Sequence, residues 1–217
     1  MARAADVVVF LDDVQYTRRD WRNRNLIRGE RGPRWITIPV FTSGKYTSRI
    51  CDIELASDDW VTSHLSILDH TYRNFRPYQL IRDKLAQIYL HASRHCKLTD
   101  VNQTITRNLF EILDIHVEMR DSREFPTHDD PTERLVAICT AIGATTYLSG
   151  PAAKAYLREE VFEEQGLHVE WIDYHSLLPV QNEISVGVEL SILDLLAVVG
   201  TADAEMLSTF HATRNES

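Results

Sequence analysis

The chain is poor in the residues that announce a compartment, a cofactor or a reactive nucleophile. Its three cysteines, Cys51, Cys96 and Cys139, are widely spaced and none belongs to a C-x-x-C pair. An odd, scattered set supports neither a disulfide framework nor a zinc ribbon, and reads instead as buried, inert thiols. No run reaches the roughly 18 apolar residues needed to span a bilayer, and the amino terminus lacks the charged-then-apolar pattern of a secretory signal. The expected location is therefore the cytoplasm, with no membrane partner. Positive charge is also short: 23 Lys and Arg stand against 32 Asp and Glu, a net charge of −9. That balance opposes extended nucleic-acid binding, which needs a broad basic surface to neutralise many phosphates. Neither a Walker motif nor a G-x-G-x-x-G run occurs. With no G-x-S-x-G elbow, Ser-His-Asp order or activated Cys, covalent nucleophilic catalysis is disfavoured.

What the chain has is an apolar content of 44% over 217 residues, enough for a single domain spanning residues 1–217. Asp6 to Leu11 is a continuous β-branched and apolar run ending at Asp12-Asp13, the profile of a central strand buried on both faces. A second strand is expected over Trp35 to Val40, after the turn signal Gly29 to Pro33, with Pro39 marking an edge or an end. Between Asp58 and about His95 the apolar spacing becomes helical, with Pro77 separating two helices; a third is expected from Asp100 to Leu113, capped by Thr99 or Asp100. These three form a helical insertion at 58–114. Strand and helix signals then alternate. They are a strand at Ile115 to Met119, a helix from Asp130-Pro131 to Gly143, a strand at Thr145 to Leu148, a helix to about Gln165, a strand at Leu167 to Ile172, and a last helix from Ser191. Strand, helix and strand with short joints make a parallel βαβ crossover. The fold class is α/β, an open, mostly parallel, Rossmann-like sheet carrying a helical insertion of about three helices.

In such a sheet, ligands bind beyond the carboxyl ends of the strands. The rule gathers Asp12 to Gln15, Ser149 to Pro151 and Asp173-Tyr174 onto one rim. Next to the first of these, between Tyr16 and Arg34, seven arginines face only Asp20 and Glu30, a local excess of five positive charges. A positive field confined within an acidic chain points to one anionic small molecule rather than a polymer. Gln15, Arg18, Arg19, Trp21, Asn23 and Asn25 combine forked guanidinium donors, amides and a flat ring, a set that can grip a carboxylate or phosphate and stack on a ring. A solvated loop with surface Arg–Asp pairs is the plain alternative. The Ser149-Gly150 turn, with Lys154 one turn on, offers backbone N–H groups to an anion, although good helix capping explains it as well. Asp12 and Asp13 point to opposite faces; one faces the ligand and the other ties down arginines. No carboxylate motif supports a metal cage, and no cofactor is expected. His91 and His95 stand four apart on a helix and read as helix-end histidines. His64 falls on the apolar stripe with Trp60 and Ile67. It is either a satisfied core residue or, if it reaches the rim, a general base.

The segment Phe10-Leu11-Asp12-Asp13-Val14-Gln15-Tyr16-Thr17-Arg18-Arg19-Asp20-Trp21-Arg22-Asn23-Arg24-Asn25 resembles the signature of the WbqC-like protein family. The likeness continues through Trp35 to Val40, Trp60 with His64 and Tyr72, Tyr147 to Ala152, and Ser191 to Leu196. It implies a ligand-site role for Asp13, Gln15, Arg18, Arg19, Trp21, Asn23, Asn25, His64, Tyr72, Ser149 and Gly150. The family is named from bacterial surface-polysaccharide gene clusters and also occurs beside specialised-metabolite genes. Two departures stand out. A Q-P-x-Y-x-P-x-x-G-Y-F strand and loop, usual ahead of the segment near Ala4, is absent, and Val186 to Leu190 replaces a stretch where relatives place Phe and His. The resulting expectation is a group-transfer enzyme, moving an acyl, aminoacyl or nucleotide-activated unit onto a small amine or sugar. Arg18 and Arg19 would clamp the anion, Asp13 or His64 would act as base, and the Ser149-Gly150 turn and Lys154 would hold charge. The alternative is a non-catalytic small-molecule-binding or scaffold protein with a degenerate site. A homodimer is compatible with either.

Overall fold

The β-branched run after Asp6 forms strand β1 (Val7–Phe10) in a computed structural model that describes residues 1–42, 47–172 and 190–201. The chain divides into two units, one holding Met1–Leu11 and the stretch from Val117, the other holding Asp12–His116 and the helix that follows Ser191.

In the first unit β1 pairs in parallel with β4 (Glu118–Asp121), Val7 opposite Glu118. All four β1 residues are half-buried rather than covered on both faces. Helix α4 (Pro131–Ala141) starts as its sequence dictates. The Asp130 carboxylate accepts from the Thr132 and Glu133 N–H groups, each at 2.9 Å, and Pro131 occupies the first turn, where its missing N–H costs nothing. Gly143, at φ +70°, ends it in the left-handed conformation that glycine adopts without strain. The expected crossover is present, β5 (Thr146–Ser149) lying parallel to β6 (His168–Trp171) with Ser149 opposite Trp171. Its connection differs from the single helix expected. A 3-10 turn at Pro151–Ala155 and a one-turn helix, α5 (Glu159–Glu163), are separated by extended backbone at Arg158. Val136, Cys139, Phe162 and Leu167 pack as this unit's core. Arg134 of α4 is buried and donates to the carbonyls of Ser122 at 2.9 Å, Phe125 at 3.4 Å and Pro126.

The second unit contains an element absent from the sequence reading. Arg24–Ile27 is a strand, β2, antiparallel to β3 (Arg34–Thr37), with Leu26 opposite Trp35 and Arg24 opposite Thr37. The Arg-rich segment is thus in part a β-hairpin and not wholly a loop. Ile27, Ile36 and Ile38 turn inward and Trp35 and Thr37 outward, the period-two alternation of a half-buried strand. β3 ends two residues before Pro39, which cannot donate to a ladder.

Three helices occupy the expected stretch, α1 (Trp60–Tyr72), α2 (Arg76–Ala92) and α3 (Leu98–Ile112). Trp60, His64, Leu68 and Tyr72 recur every fourth residue and form the buried stripe of α1. Pro77 sits in the first turn of α2 instead of between helices. α3 begins before the expected caps. Lys97 is its N-cap, and the hydroxyl of fully buried Thr99 is directed to Asp12. Helix α6 (Ile192–Val198) is capped as expected, Ser191 Oγ accepting from Leu193 N–H at 3.3 Å, and the Ser191 N–H donates to the Leu26 carbonyl of β2 at 2.7 Å. The class is mixed α/β with small parallel sheets. Among the described residues the strands pair two by two, in smaller sheets than the open one expected.

Cys51 and Cys139 are buried, and burial pushes the Cys139 thiol up to about 11. Cys96 is exposed, correcting the expectation of three buried thiols. No helix among the described residues is long and apolar enough to cross a membrane.

Candidate functional site

The loop Tyr16 to Asn23 and the start of β2 are held by side chains reaching backbone at both ends. Tyr16 is buried and its hydroxyl donates to Asn23 Oδ1 at 3.0 Å, while Asn23 Nδ2 donates to the Ile38 carbonyl at 2.9 Å. Asn102 of α3 donates to the Arg22 carbonyl at 2.8 Å, Arg18 to the Thr42 carbonyl at 2.5 Å, and Arg24 to the Arg19 carbonyl. The Tyr16 N–H donates to the Ser48 carbonyl at 2.8 Å. Burial raises the Tyr16 phenol above its ordinary range, and the Arg18 and Arg24 charges pull the other way. Arg19 adopts φ +60°, a conformation that costs a residue with a Cβ on the order of 1 kcal/mol.

Pinned in this way, the loop leaves Arg18, Arg19, Trp21 and Arg22 exposed. Trp21 and Trp35 are 48% and 40% exposed, with ring centroids 5.0 Å apart at 54°. The Arg24 guanidinium lies 4.0 Å from the Trp35 centroid, a cation–π contact. Arg24 and Trp35 are diagonal neighbours on one hairpin face, close enough for long side chains to meet. Asp20 accepts from the Trp21 N–H at 2.7 Å and lies 3.8 Å from Arg22.

Of the other residues expected at the site, Gln15 is exposed and bridges to Arg49 in antiparallel fashion, and Asn25 Oδ1 accepts from the Leu26 N–H at 2.8 Å. The two aspartates divide their roles. Asp12 accepts from Thr99 Oγ1 and, at 3.1 Å, from Gln103 Nε2, tying the chain to α3. Asp13 is half-buried, and its charge helps to raise the Arg49 guanidinium, whose main cause is the hydrogen bond to Asp52.

Two expected site residues belong to the core. His64 is 5% exposed, its Nε2 is 3.0 Å from the Thr37 carbonyl, and its ring meets Trp60 and Tyr89 edge-on. Burial lowers its pKa, only partly opposed by the Thr37 bond, which leaves a neutral ring that joins α1 to the end of β3. Because the folded value lies below the ordinary 6.5, stability is whole above that pH and is lost as the pH falls from there through the depressed folded value. His64→Gln, which keeps a donor for Thr37, is expected to flatten the loss below about pH 6.5 in urea melts; an unchanged slope contradicts this. Tyr72 is fully buried. Its hydroxyl donates to Asp194 Oδ1 at 2.6 Å and accepts from the Arg28 N–H at 3.3 Å, and burial, with the Asp194 bond, holds the phenol far above its usual range.

Ser149, Gly150 and Lys154 lie in the first unit and the Arg/Trp loop in the second. Ser149 is buried, Gly150 precedes a 3-10 turn and not an α-helix, and the Lys154 Nζ is 5.2 Å from the Trp171 ring centroid. Asp173, Tyr174 and Val186 to Glu189 fall outside the described residues. His91 and His95 have centroids 6.3 Å apart, and His95 Nε2 is 3.0 Å from Thr104 Oγ1.

Arg24 belonged to the Arg-rich segment read from the sequence, whereas Trp35 and Asn102 were not read as parts of this surface. The outward alternation of Trp35 and Thr37 marks Trp35, and no local pattern marks Asn102.

Residues 1–206 match the model of the WbqC-like protein family. A relative, the uncharacterised protein Rv1507c of Mycobacterium tuberculosis, is 36% identical over 204 residues, which is 93% of this chain and 87% of the relative. No solved structure matches. The chain belongs to the WbqC-like protein family.

Proposed function

We propose that the chain is a cytoplasmic group-transfer enzyme acting on an anionic small molecule, with the pinned loop from Tyr16 to Arg24 as the anion site. It would move an acyl, aminoacyl or nucleotide-activated unit onto a small amine or sugar, in surface-polysaccharide or specialised-metabolite biosynthesis. This reading takes the parallel pairs β1–β4 and β5–β6 as parts of a Rossmann-like sheet. One observation carries it: the loop backbone is fastened by Tyr16, Asn23, Asn102, Arg18 and Arg24 while Arg19, Arg22 and Trp21 stay outside. A loop that merely needs solvating has no use for such fastening, whereas recognition gains from donors ordered before the ligand arrives. Arg19 is the leading anion clamp and Asp13 the base.

A second reading, a non-catalytic binding protein, draws support from the burial of His64 and Tyr72, which leaves Asp13 as the remaining expected base. Turnover of any donor that binds, abolished by Asp13→Asn with binding intact, separates the two; binding without turnover favours the second.

The anion site itself is tested by thermal shift of the full chain with carboxylates, phosphates and sugar phosphates, since a ligand of the native state alone raises Tm. Arg19→Ala is expected to weaken the best ligand about 10-fold or more, the scale of one charge-assisted hydrogen bond. Arg19→Gly should weaken it equally while stabilising the fold by up to about 1 kcal/mol, because glycine relieves the positive φ. Unchanged affinity in both variants rejects the site.

A further inference from the structure

We infer that the ligand of this loop carries a flat ring beside its anionic group, that it is a nucleoside phosphate, and that Trp21 is the platform on which the base stacks. The inference rests on the anion site proposed above and adds its ligand class. The two indoles have unequal surroundings. Trp35 extends from β3, with the Arg24 guanidinium 4.0 Å from its centroid. Trp21 leans on it at 5.0 Å and 54°, too tilted for the rings to cover one another, and remains 48% exposed. Trp35 is braced and Trp21 is presented. The backbone beneath Trp21 is fixed on both sides. Its own N–H is held by Asp20, and the next carbonyl, that of Arg22, accepts from Asn102 of α3.

An exposed indole pair costs solubility and is fixed in place here by cations and amides, not buried by packing. A simple phosphate or carboxylate would engage Arg19 and Arg22 and leave the rings idle. A neutral aromatic would use the rings and leave the guanidinium groups idle. Every nucleobase has a π-face that stacks on indole irrespective of its hydrogen-bonding edge, and its phosphates suit forked guanidinium donors. The net charge of −9 opposes a nucleic-acid polymer, which would meet repulsion beyond the patch.

Calorimetric titration of the full chain with UDP, ADP, uridine and pyrophosphate tests this. The nucleoside diphosphates are expected to bind about 10-fold or more tighter than pyrophosphate, the scale of one base stacked on one aromatic ring, and tighter than uridine. Trp21→Ala should abolish that advantage and leave pyrophosphate binding as it was, and Trp21→Phe, which keeps a ring, should restore most of it. Equal affinity for UDP, ADP and pyrophosphate, or an advantage that survives Trp21→Ala, overturns the ring assignment and leaves the anion site standing. No binding of pyrophosphate or either nucleotide overturns the nucleotide assignment, and the anion site falls with it only if carboxylates and sugar phosphates also leave Tm unchanged.

Discussion

Asp194→Ala is expected to destabilise the chain by about 3 kcal/mol, the low end of the cost of breaking a buried charged pair, because Arg28 keeps some exposure to water. Asp194 is 1% exposed and accepts from Tyr72 at 2.6 Å and from Arg28 Nε and Nη2 at 3.3 and 3.4 Å. Through it, α6, the residue after β2 and the end of α1 share one polar centre. Alanine would leave the Tyr72 hydroxyl without its acceptor and the partly buried Arg28 charge without its carboxylate. Against a typical total of about 5–15 kcal/mol, such a loss lowers the unfolding midpoint far more than a surface change. Tyr72→Phe removes only the hydroxyl and should cost about 1–3 kcal/mol. Urea unfolding of both variants decides the matter. A loss for Asp194→Ala no larger than that for Tyr72→Phe contradicts the central role given to the carboxylate.

The neighbouring aspartates provide the second large effect. Asp12→Ala is expected to cost about 3 kcal/mol, since it strips the acceptor from buried Thr99 and from Gln103, and hydrogen bonds to an ionised group contribute about 1.5–3 kcal/mol each. Asp13→Ala should cost clearly less than Asp12→Ala and act on ligand turnover. The contrast is the prediction. Equal destabilisation by the two substitutions would mean that Asp13 is as structural as Asp12, and would remove it as the base.

How far the sequence revealed this arrangement follows from the kind of signal each part carried. Periodicity and caps were local, so the three helices between Trp60 and Ile112, the Asp130-Pro131 helix start and the β5–β6 crossover were legible. β2 was not. Arg24 and Asn25 are polar, and only the partner strand, with Trp35 opposite Leu26, makes a strand of them. The site divided in the same manner. Arg19 and Trp21 were visible as types and proved exposed, but His64 and Tyr72 recur at four-residue spacing on the stripe of α1, and that spacing belongs to a buried face. Asp194 looked like a helix-start residue because it stands three after Ser191. Its actual partners are 122 and 166 residues away in the chain, a separation that no local pattern records.

Hydrogen exchange of the full chain, with and without whichever anion raises Tm most, tests the central claim most directly. Protection is predicted at Tyr16 to Arg24 and across the paired residues of β3, and it should fall away in Arg19→Ala at the same ligand concentration. Protection that instead appears only in α4, β5 and β6, with Tyr16 to Arg24 exchanging as before, would contradict it.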